Sequence, residues 1–303
     1  MHVAIVGGTG LLGQPIARAL LDTGYKVTIV TRNAAKAAET MGKGFKYAEA
    51  AIDDMTSLQQ AFHSVDAVHI NLSGYTPTQC DQIIHQGTAN IVGAAQCTGV
   101  QLISMITGTT VCEANTGFYE IKSKLAAENI IKGSGIPYVI FCPSWFMESL
   151  PNFINNGRAN IFGPGSIPIH WMAVDDYVKQ FLRAYATPEV RDKRLILHGP
   201  TAISLRSALT SYVEIMEPDL NVKHSPYWLG TLLTWVTGDK SIRHAAKLCA
   251  HYECVGDLGD PTETNELVGA PKIELTDWCL RRSMEQTPQV QDNAEGGTNK
   301  KTA

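Results

Sequence analysis

A short glycine-rich turn, Gly7-Gly8-Thr9-Gly10-Leu11-Leu12-Gly13, carries the first chemical signal of the chain. It lies directly between an apolar strand-like stretch and a helical one, and that context turns a glycine pattern into a dinucleotide-binding hypothesis. Gly7 would allow the tight turn, Gly10 would let the backbone approach a pyrophosphate, and Gly13 would let helix and strand pack closely. Free N–H groups and the dipole at the start of that helix favour a phosphate. The turn predicts cofactor contacts by Gly7, Thr9, Gly10, Leu11, Leu12 and Gly13; a purely structural turn is the alternative.

Arg32 and Asn33 follow the second predicted strand, at the position where dinucleotide-binding folds distinguish the two nicotinamide cofactors. An acidic residue there holds the ribose 2′-hydroxyl of NAD, whereas an arginine accommodates the 2′-phosphate of NADP. The chain has an arginine and no acid at this position, which favours NADP(H), with Lys36 as a second candidate for the phosphate. A solvated surface arginine is the alternative interpretation.

Polar residues also follow the third and fourth predicted strands. Asp53 or Asp54 would face the adenine amino group, or one of them would cap the next helix, and the two roles are compatible. Asn71-Leu72-Ser73 ends the fourth strand, at the sheet edge where ligands of parallel sheets bind. We expect these three residues to contact the cofactor, although a structural turn explains them equally well.

Alternating strands and helices must hold these residues together. The alternation predicts an α/β fold, a Rossmann-type doubly wound parallel sheet with helices on both faces. The predicted strands are His2 to Val6, Tyr25 to Thr31, Phe45 to Ala48, Val65 to Asn71, Gln101 to Ile106 and Tyr138 to Phe141. The predicted helices are Gln14 to Thr23, Ser57 to His63, Thr78 to Gly99 and one through Phe118 to Glu128.

Three further segments complete a family pattern: Ser123-Lys124-Leu125 with Glu128, Ile136-Pro137-Tyr138, and Pro143-Ser144-Trp145-Phe146. With the glycine turn, they resemble the atypical short-chain dehydrogenase/reductases, and within them the NmrA-like branch of isoflavone-reductase-like enzymes and nucleotide-sensing regulators. The resemblance covers roughly residues 1 to 185. It implies that Lys124 hydrogen-bonds the nicotinamide ribose or serves as acid/base, and that Pro143, Ser144, Trp145 and Phe146 pass near the nicotinamide. Thr107, at the end of the fifth strand, joins these cofactor candidates.

Tyr119 departs from the family pattern. Many members carry a tyrosine four residues before the lysine, and here Glu120 takes that position. Residues four apart share a helix face, whereas residues five apart are separated by about 140°. Tyr119 is therefore not expected beside Lys124, although it would reach Lys122, and we expect it to line the substrate pocket.

Lys124 has two interpretations. A desolvated lysine with a lowered pKa would assist proton transfer in place of the tyrosine, and isoflavone-reductase-like relatives also lack that tyrosine. Alternatively, Glu120 and Lys124 form only an ion pair between residues one helical turn apart on a solvated face. The family's usual arginine before Pro143 is replaced by Cys142, which we interpret as a buried filler rather than a nucleophile.

The second half of the chain predicts a smaller, mostly helical substrate lobe. The predicted division is 1–150 for the NADP-binding domain, 151–285 for the lobe, with a return to the sheet near 170–200, and 286–303 for a disordered tail. Asn155 to Gly165 predicts a loop, and Asp175 a helix cap. The remaining predicted elements are a strand, Arg194 to His198, and helices Leu205 to Met216, Trp228 to Thr237, Ser241 to Tyr252 and Thr276 to Met284.

Aromatic and apolar side chains are the candidates for substrate contacts. The resemblance implies a lobe that closes over the nicotinamide, lined by Tyr75, Phe118, Phe146, Met147, Phe153, Trp228 and Trp235. Aromatic residues at helical spacing are usually core, so we select Tyr119 and Phe146 from among the aromatic candidates. The longest apolar stretch, Trp228 to Val236, predicts a buried helix too short to span a bilayer.

Composition narrows the class of protein. A chain of 303 residues with a net charge of −4 has room for a sizeable core and no electrostatic footprint for nucleic acid or an anionic membrane. Its seven scattered cysteines lack a C-x-x-C pair and predict reduced thiols in a cytoplasmic protein without a signal peptide. The nine histidines show no ligand spacing, so no metal is predicted. The sequence leaves the oligomeric state open.

These observations predict an NADPH-dependent oxidoreductase that reduces a small carbonyl, enone or quinone compound. Lys124 and Tyr119 are its predicted catalytic residues, and Tyr75, Phe118, Phe146 and Met147 its predicted substrate contacts. A non-catalytic NADP(H)-sensing regulator of the NmrA type, which would bind a partner protein, is the alternative that the displaced tyrosine favours. A nucleotide-sugar epimerase or dehydratase is disfavoured by the missing tyrosine and by the lack of an arginine-rich end.

Overall fold

The computed structural model describes residues 1–286 and contains strands and helices in alternation through its first half. The strands are β1 His2–Val6, β2 Lys26–Thr31, β3 Lys46–Glu49, β4 Ala67–Ile70, β5 Leu102–Ile106, β6 Tyr138–Pro143, β7 Trp145–Phe146, β8 Ile154–Asn155, β9 Arg158–Phe162, β10 Pro168–Met172, β11 Lys193–Leu197, β12 Ala202–Ser204 and β13 Val222–Ser225. The helices are α1 Gly13–Asp22, α2 Ala34–Met41, α3 Met55–Ala61, α4 Pro77–Gln79, α5 Gly87–Thr98, α6 Tyr119–Lys132, α7 Val174–Ala186, α8 Leu205–Met216, α9 Tyr227–Thr237, α10 Lys240–Val255, α11 Thr262–Val268 and α12 Leu275–Gln286. A π-helical turn, Cys80–Gln86, joins α4 to α5.

The central element is a seven-stranded sheet in the order β11-β6-β5-β4-β1-β2-β3. Every pairing in it is parallel. The doubly wound sheet predicted from the sequence is therefore confirmed. Because the strands are parallel, their carboxyl ends meet at one edge, with the reversal of strand order between β1 and β4.

Two apolar layers hold helices on the two faces of this sheet. Alternate residues of β1 belong to different layers, as the two-residue repeat of a strand requires. On one face α1 and α7 contribute Leu20 and Phe181. On the other, α3, α5 and α6 contribute Leu58, Ile91 and Ile131. Each of these side chains is fully buried, which stabilises the fold by about 1.5–3 kcal/mol per residue.

A smaller C-terminal lobe, formed by α8, α9, α10 and α12 with two small sheets, has a core of its own. The sheets have the orders β12-β10-β7 and β13-β9-β8. Trp145, Trp171, Tyr212 and Trp278 lie in the core of the lobe. Other parts of the same half of the chain belong to the large sheet, since β11 pairs with β6 and α11 packs on α7.

The segment Asn155 to Gly165 is not the predicted loop. β8 and β9 pair there as an antiparallel hairpin. Asn156 and Gly157 form its turn, with φ of 49° and 67°. Asn-Gly is the residue pair that such two-residue hairpin turns favour. The signal was therefore present, and the high Gly, Asn and Pro content of the segment concealed it.

The apolar helix α9 is not buried as predicted. Gly230 is its buried residue, and a Cβ there would lie 2.6 Å from the Cβ of Ala246 on α10. Trp228 and Trp235 are 64% and 83% exposed. The helix therefore packs on one side only, and its aromatic residues stay outside the core. Among the residues that the structure describes, none of the helices has the length and apolar character that crossing a bilayer requires.

Asp175 does not cap α7, contrary to prediction. It pairs with Arg281 at 2.8 Å. The first N–H group of the helix, that of Val174, is bound instead by both oxygens of Glu148 at 3.1 Å. Glu148 also accepts from the indole of Trp278 at 2.9 Å, so it joins α7 to the C-terminal lobe. The predicted tail lies, from residue 287 onward, outside the described residues.

Candidate active site

The glycine turn fits a pyrophosphate. Gly7 has a φ of 83°, and a Cβ there would lie 2.0 Å from the carbonyl oxygen of Asn71. A Cβ on Gly13 would lie 2.3 Å from the carbonyl oxygen of Gly7, so only glycine lets α1 begin this close to the turn. No side chain caps α1 at Leu12. The N–H of Gln14 already binds the carbonyl oxygen of Gly10, and Pro15 has no N–H, so the N–H groups of Leu11, Leu12 and Gly13 are the ones that can meet a phosphate.

Arg32 lies at the same sheet edge as this turn. Val6 of β1 stands opposite Val30 of β2, so the residues that follow the two strands are neighbours. The Arg32 side chain is exposed, as a group that meets a phosphate from solvent must be. Asn33 accepts from the N–H of Lys36 at 2.9 Å and caps α2.

The two aspartates after β3 have different surroundings. Asp54 accepts from the N–H of Thr56 at 3.0 Å and caps α3. Asp53 is exposed and is the one left for an adenine amino group. The helix-cap role therefore belongs to Asp54.

Lys124 lies on α6 with its ammonium at the carboxyl end of β5. Nζ donates to the carbonyl oxygen of Thr107 at 3.1 Å and lies 2.7 Å from Oε1 of Glu120. The side chains of Lys124 and Glu120 are 17% and 13% exposed. The interpretation of this pair as a solvated surface ion pair is therefore wrong. Two opposite charges this close and this shielded attract more strongly than in water.

Tyr119 has its polar partners outside its own helix. Its hydroxyl donates to the carbonyl oxygen of Tyr75 at 3.0 Å and lies 2.8 Å from Nδ1 of His244. The other ring nitrogen, Nε2 of His244, lies 3.3 Å from Oε2 of Glu120. A continuous chain of polar contacts thus runs from Lys124 through Glu120 and His244 to Tyr119. The expected reach of Tyr119 to Lys122 gives way to this contact with the C-terminal lobe.

Burial and charge shift the ionisation of this chain. Burial alone would raise the pKa of Glu120, but the charges of Lys124 and His244 more than offset it and hold that pKa below its usual range. Burial lowers the pKa of His244, which Glu120 partly counteracts. Burial also raises the pKa of Tyr119 to about 12. Near neutral pH, Glu120 is therefore a carboxylate and Tyr119 a neutral phenol.

The loop after β6 supplies a second polar group. Ser144 is buried, and its hydroxyl has no hydrogen-bond partner in the described structure. It lies beside Pro143, whose carbonyl binds the N–H of Thr109. An orphaned hydroxyl at this edge suits a polar ligand such as a nicotinamide. Cys142 is fully buried, and burial raises its pKa to about 11, which confirms its interpretation as a filler.

The structure places some of the predicted substrate residues beside the polar chain and others away from it. Tyr75 and Phe118 lie with their ring centroids 5.5 and 5.9 Å from that of His244, next to the polar chain. Phe146 packs edge-on against Tyr177 at 5.4 Å. Met147 is 1% exposed, and the structure places it in the core of the lobe instead of at the site. Of the wider set, Phe153 stacks on Trp145, and Trp228 and Trp235 lie exposed on α9.

A histidine cluster lies apart from this chain of contacts. Oδ2 of Asp257 accepts from the backbone N–H of His170 at 2.5 Å and lies 3.1 Å from its Nδ1. The rings of His170 and His198 stack at 4.4 Å with 15° between their planes. Imidazole binds a metal in its ring plane, and two nearly parallel rings do not direct their lone pairs at one ion. We therefore assign hydrogen bonding and stacking, and no metal, to this cluster.

Comparison with known proteins gives the family. Residues 7–165, more than half of the chain, match the family described as NAD(P)H-binding, and the chain belongs to it. The NAD(P)H azoreductase of Xenophilus azovorans is 26% identical over 206 residues, 67% of this chain and 69% of that protein. The photosystem II assembly factor Ycf39 of Trieres chinensis is 22% identical over 253 residues, 78% and 76% of the two chains.

A solved structure shares the fold. The NADPH-dependent quinone oxidoreductase QOR2 of Escherichia coli, complexed with NADPH, superposes with a TM-score of 0.74 at 20% identity, over 92% of this chain and 99% of that one. The family match confirms the predicted NAD(P)-binding family, with which the resemblance to the atypical short-chain dehydrogenase/reductases agrees, and NAD(P)H is the cofactor. Membership of the NmrA-like branch stays a prediction.

Proposed function

We propose that the protein is an NADPH-dependent reductase of small carbonyl, enone or quinone compounds, in which Lys124 donates to the substrate oxygen. The observation that carries the proposal is that two neighbouring groups hold the ammonium of Lys124 in place. An ammonium has three N–H donors, and Glu120 and the carbonyl of Thr107 engage two of them. The third is left for a ribose hydroxyl or for the oxygen of a substrate at the carboxyl end of β5.

NADPH supplies a hydride when it is bound. As that hydride reaches a carbonyl, enone or quinone, negative charge develops on the substrate oxygen. The Lys124 ammonium stabilises this charge in a shielded place, where it is worth more than in water, and gives the oxygen its proton. Water then returns a proton to Nζ, while Glu120 keeps the lysine in place throughout.

The names of two similar proteins support a conjugated compound as the acceptor of the hydride. One is an NAD(P)H azoreductase, and the other is an NADPH-dependent quinone oxidoreductase. An azo group and a quinone are both conjugated acceptors. Arg32, exposed beside the glycine turn, supports NADPH over NADH because its guanidinium suits a 2′-phosphate.

The first experiment is a calorimetric titration with NADPH, NADP⁺, NADH and NAD⁺ in parallel. We expect NADPH to bind about tenfold tighter than NADH or better. NADPH consumption is then followed with quinones and enones. Lys124→Met should abolish turnover and leave the Kd for NADPH within a few fold. Lys122→Met, exposed on the same helix, is the matched control, and full activity of Lys124→Met would contradict the assignment.

A nucleotide-sensing regulator is the second candidate. The observation in its favour is that Tyr119, the nearest tyrosine in sequence to the family position, is already held by His244 and Tyr75. A relative named as an assembly factor also fits a protein that acts on other proteins. A sensor would distinguish NADPH from NADP⁺ in binding and show no substrate-dependent oxidation, so the two measurements above separate the candidates.

A further inference from the structure

Helix α10 places two histidines against the start of α6. His244 and His251 are seven residues apart and share one face of the helix. The ring of Phe118 lies between them, 5.9 Å from the ring of His244 and 5.2 Å from that of His251. The C-terminal lobe thus covers the Glu120–Lys124 pair with imidazole groups.

His244 has a polar neighbour at each ring nitrogen. Nδ1 lies 2.8 Å from the hydroxyl of Tyr119, and Nε2 lies 3.3 Å from Oε2 of Glu120. An ionised carboxylate only accepts hydrogen bonds. Because Glu120 is a carboxylate near neutral pH, Nε2 must carry the proton. In the neutral ring Nδ1 then accepts the proton of the Tyr119 hydroxyl in place of the Tyr75 carbonyl, and in the imidazolium Nδ1 donates to the hydroxyl oxygen.

The consequence for Glu120 is that its two oxygens have different partners on different elements. Oε1 faces Lys124 on the same helix, and Oε2 faces His244 on α10. The carboxylate is fixed about its last torsion, a soft one in a free glutamate. A fixed carboxylate in turn fixes the ammonium that it pairs with.

We propose that His244 is a positioning residue: its Nε2–H holds one oxygen of Glu120 so that the other keeps Lys124 directed at the carboxyl end of β5. The inference rests on the proposed function and adds to it a residue from the C-terminal lobe. His244 touches neither cofactor nor substrate in this role. Its effect on the reaction passes through Glu120.

The kinetic test compares two amide substitutions. The amide nitrogen of glutamine reaches about as far as Nε2 and still donates to Glu120, whereas that of asparagine reaches only as far as Nδ1. We expect His244→Asn to lower kcat about tenfold or more, with KM for NADPH within about threefold, and His244→Gln to keep kcat within about threefold. His224→Asn, an exposed histidine of the same lobe, is the control.

A double-mutant cycle with Glu120→Gln tests the route of the effect. If His244 acts through Glu120, adding His244→Asn to Glu120→Gln should cost less than about threefold in kcat, because the contact is already impaired. Independent losses that multiply would overturn the proposal. Circular dichroism and thermal melting of each variant show whether it is folded.

A spectroscopic readout on the full chain without cofactor does not depend on turnover. Long-range ¹H–¹⁵N spectra of ¹⁵N-histidine-labelled protein report which ring nitrogen is protonated, with His244→Gln assigning the signal. We expect a protonated Nε2 for His244 at neutral pH; a neutral ring protonated only at Nδ1 overturns the inference.

If Lys124→Met abolishes turnover and His244→Asn does not lower kcat, the inference about His244 fails and the proposed function stands. If the wild type consumes no NADPH with any acceptor, the proposed function fails and the spectrum still decides the contact.

Discussion

Oε1 of Glu120 lies 2.7 Å from Nζ of Lys124, one helical turn along α6, with both side chains largely withdrawn from solvent. On an exposed helix such a pair is worth about 0.2–0.5 kcal/mol. Here the sheet edge lies below the pair and α10 covers it, so the carboxylate fixes the direction of the ammonium. Glu120 stands at the position where the family pattern that the sequence resembles has a tyrosine, and in the proposed function it holds the lysine in place.

Glu120→Gln should therefore lower kcat for NADPH-dependent reduction about 10- to 100-fold. The amide keeps the shape of the side chain and removes the charge that orients Lys124, so the Kd for NADPH should change only a few fold. Steady-state NADPH oxidation and calorimetry measure the two quantities. Glu113→Gln, an exposed carboxylate just before α6, is the control. An unchanged kcat would show that the ion pair is only structural.

Much of the fold was predictable because its signals are local. The predicted strand His2 to Val6 and helix Leu205 to Met216 have the same bounds in the structure, since apolar periodicity and turn residues mark both ends. β13 and α11 were missed because short, half-exposed elements carry little periodicity. The exposed face of α9 was missed because hydropathy does not say which side of a helix finds a partner.

In the candidate site, too, residues in local sequence patterns were predictable and residues brought in by distant segments were not. The glycine turn and Lys124 stand in local patterns and were found from the sequence. His244 was not, because 125 residues separate it from the tyrosine that it contacts. The seven-residue spacing of His244 and His251 marks a helix face, but nothing in the sequence says that this face lies on α6.

The glycine turn allows a structural role to be separated from a ligand role. A Cβ on Gly13 would meet the carbonyl of Gly7 at 2.3 Å, whereas a Cβ on Gly10 would meet it at an ordinary 3.4 Å. Gly13→Ala should destabilise the protein by about 1–3 kcal/mol, as overpacking does. Gly10→Ala should leave stability within about 0.5 kcal/mol and weaken NADPH binding about tenfold or more, because the new methyl group would occupy the space of the pyrophosphate.

Urea denaturation and calorimetry on the two variants give both quantities. Gly10→Ala is the informative variant. If its stability without nucleotide equals that of the wild type, a loss of NADPH affinity is not caused by unfolding. Unchanged NADPH affinity of Gly10→Ala would mean that the backbone of the turn does not approach the pyrophosphate at this residue.

Arg32 should set the cofactor preference. Its side chain is exposed, so Arg32→Ser should change the free energy of unfolding by less than about 0.5 kcal/mol. Loss of a charge-assisted contact to the 2′-phosphate should raise the Kd for NADPH about tenfold and leave the Kd for NADH unchanged. Lys36→Ser, measured in parallel, tests the second candidate. A larger effect at Lys36 than at Arg32 would reassign the phosphate contact.

His69 should make the stability of the protein fall in mild acid. It lies fully buried in β4, with Nδ1 2.8 Å from the hydroxyl of Ser104, and burial lowers its pKa from 6.5 to about 3. Below pH 6.5 the imidazole of His69 is therefore protonated in the unfolded chain but stays neutral in the folded chain. The stability that the neutral ring contributes is present above that pH and is lost as pH falls toward 3. Between pH 7 and 5 the loss amounts to about 2 kcal/mol.

Urea denaturation of the wild type and of His69→Gln at pH 7 and pH 5 measures this contribution. The variant is expected to be less stable at pH 7, since it disturbs a packed strand, but to lose about 2 kcal/mol less than the wild type on going to pH 5. His63→Gln, an exposed histidine at the end of α3, should lose as much as the wild type. Because other groups titrate in all three proteins alike, the difference between variants isolates His69. Equal losses in His69→Gln and the wild type would mean that the ring takes up its proton without unfolding the sheet.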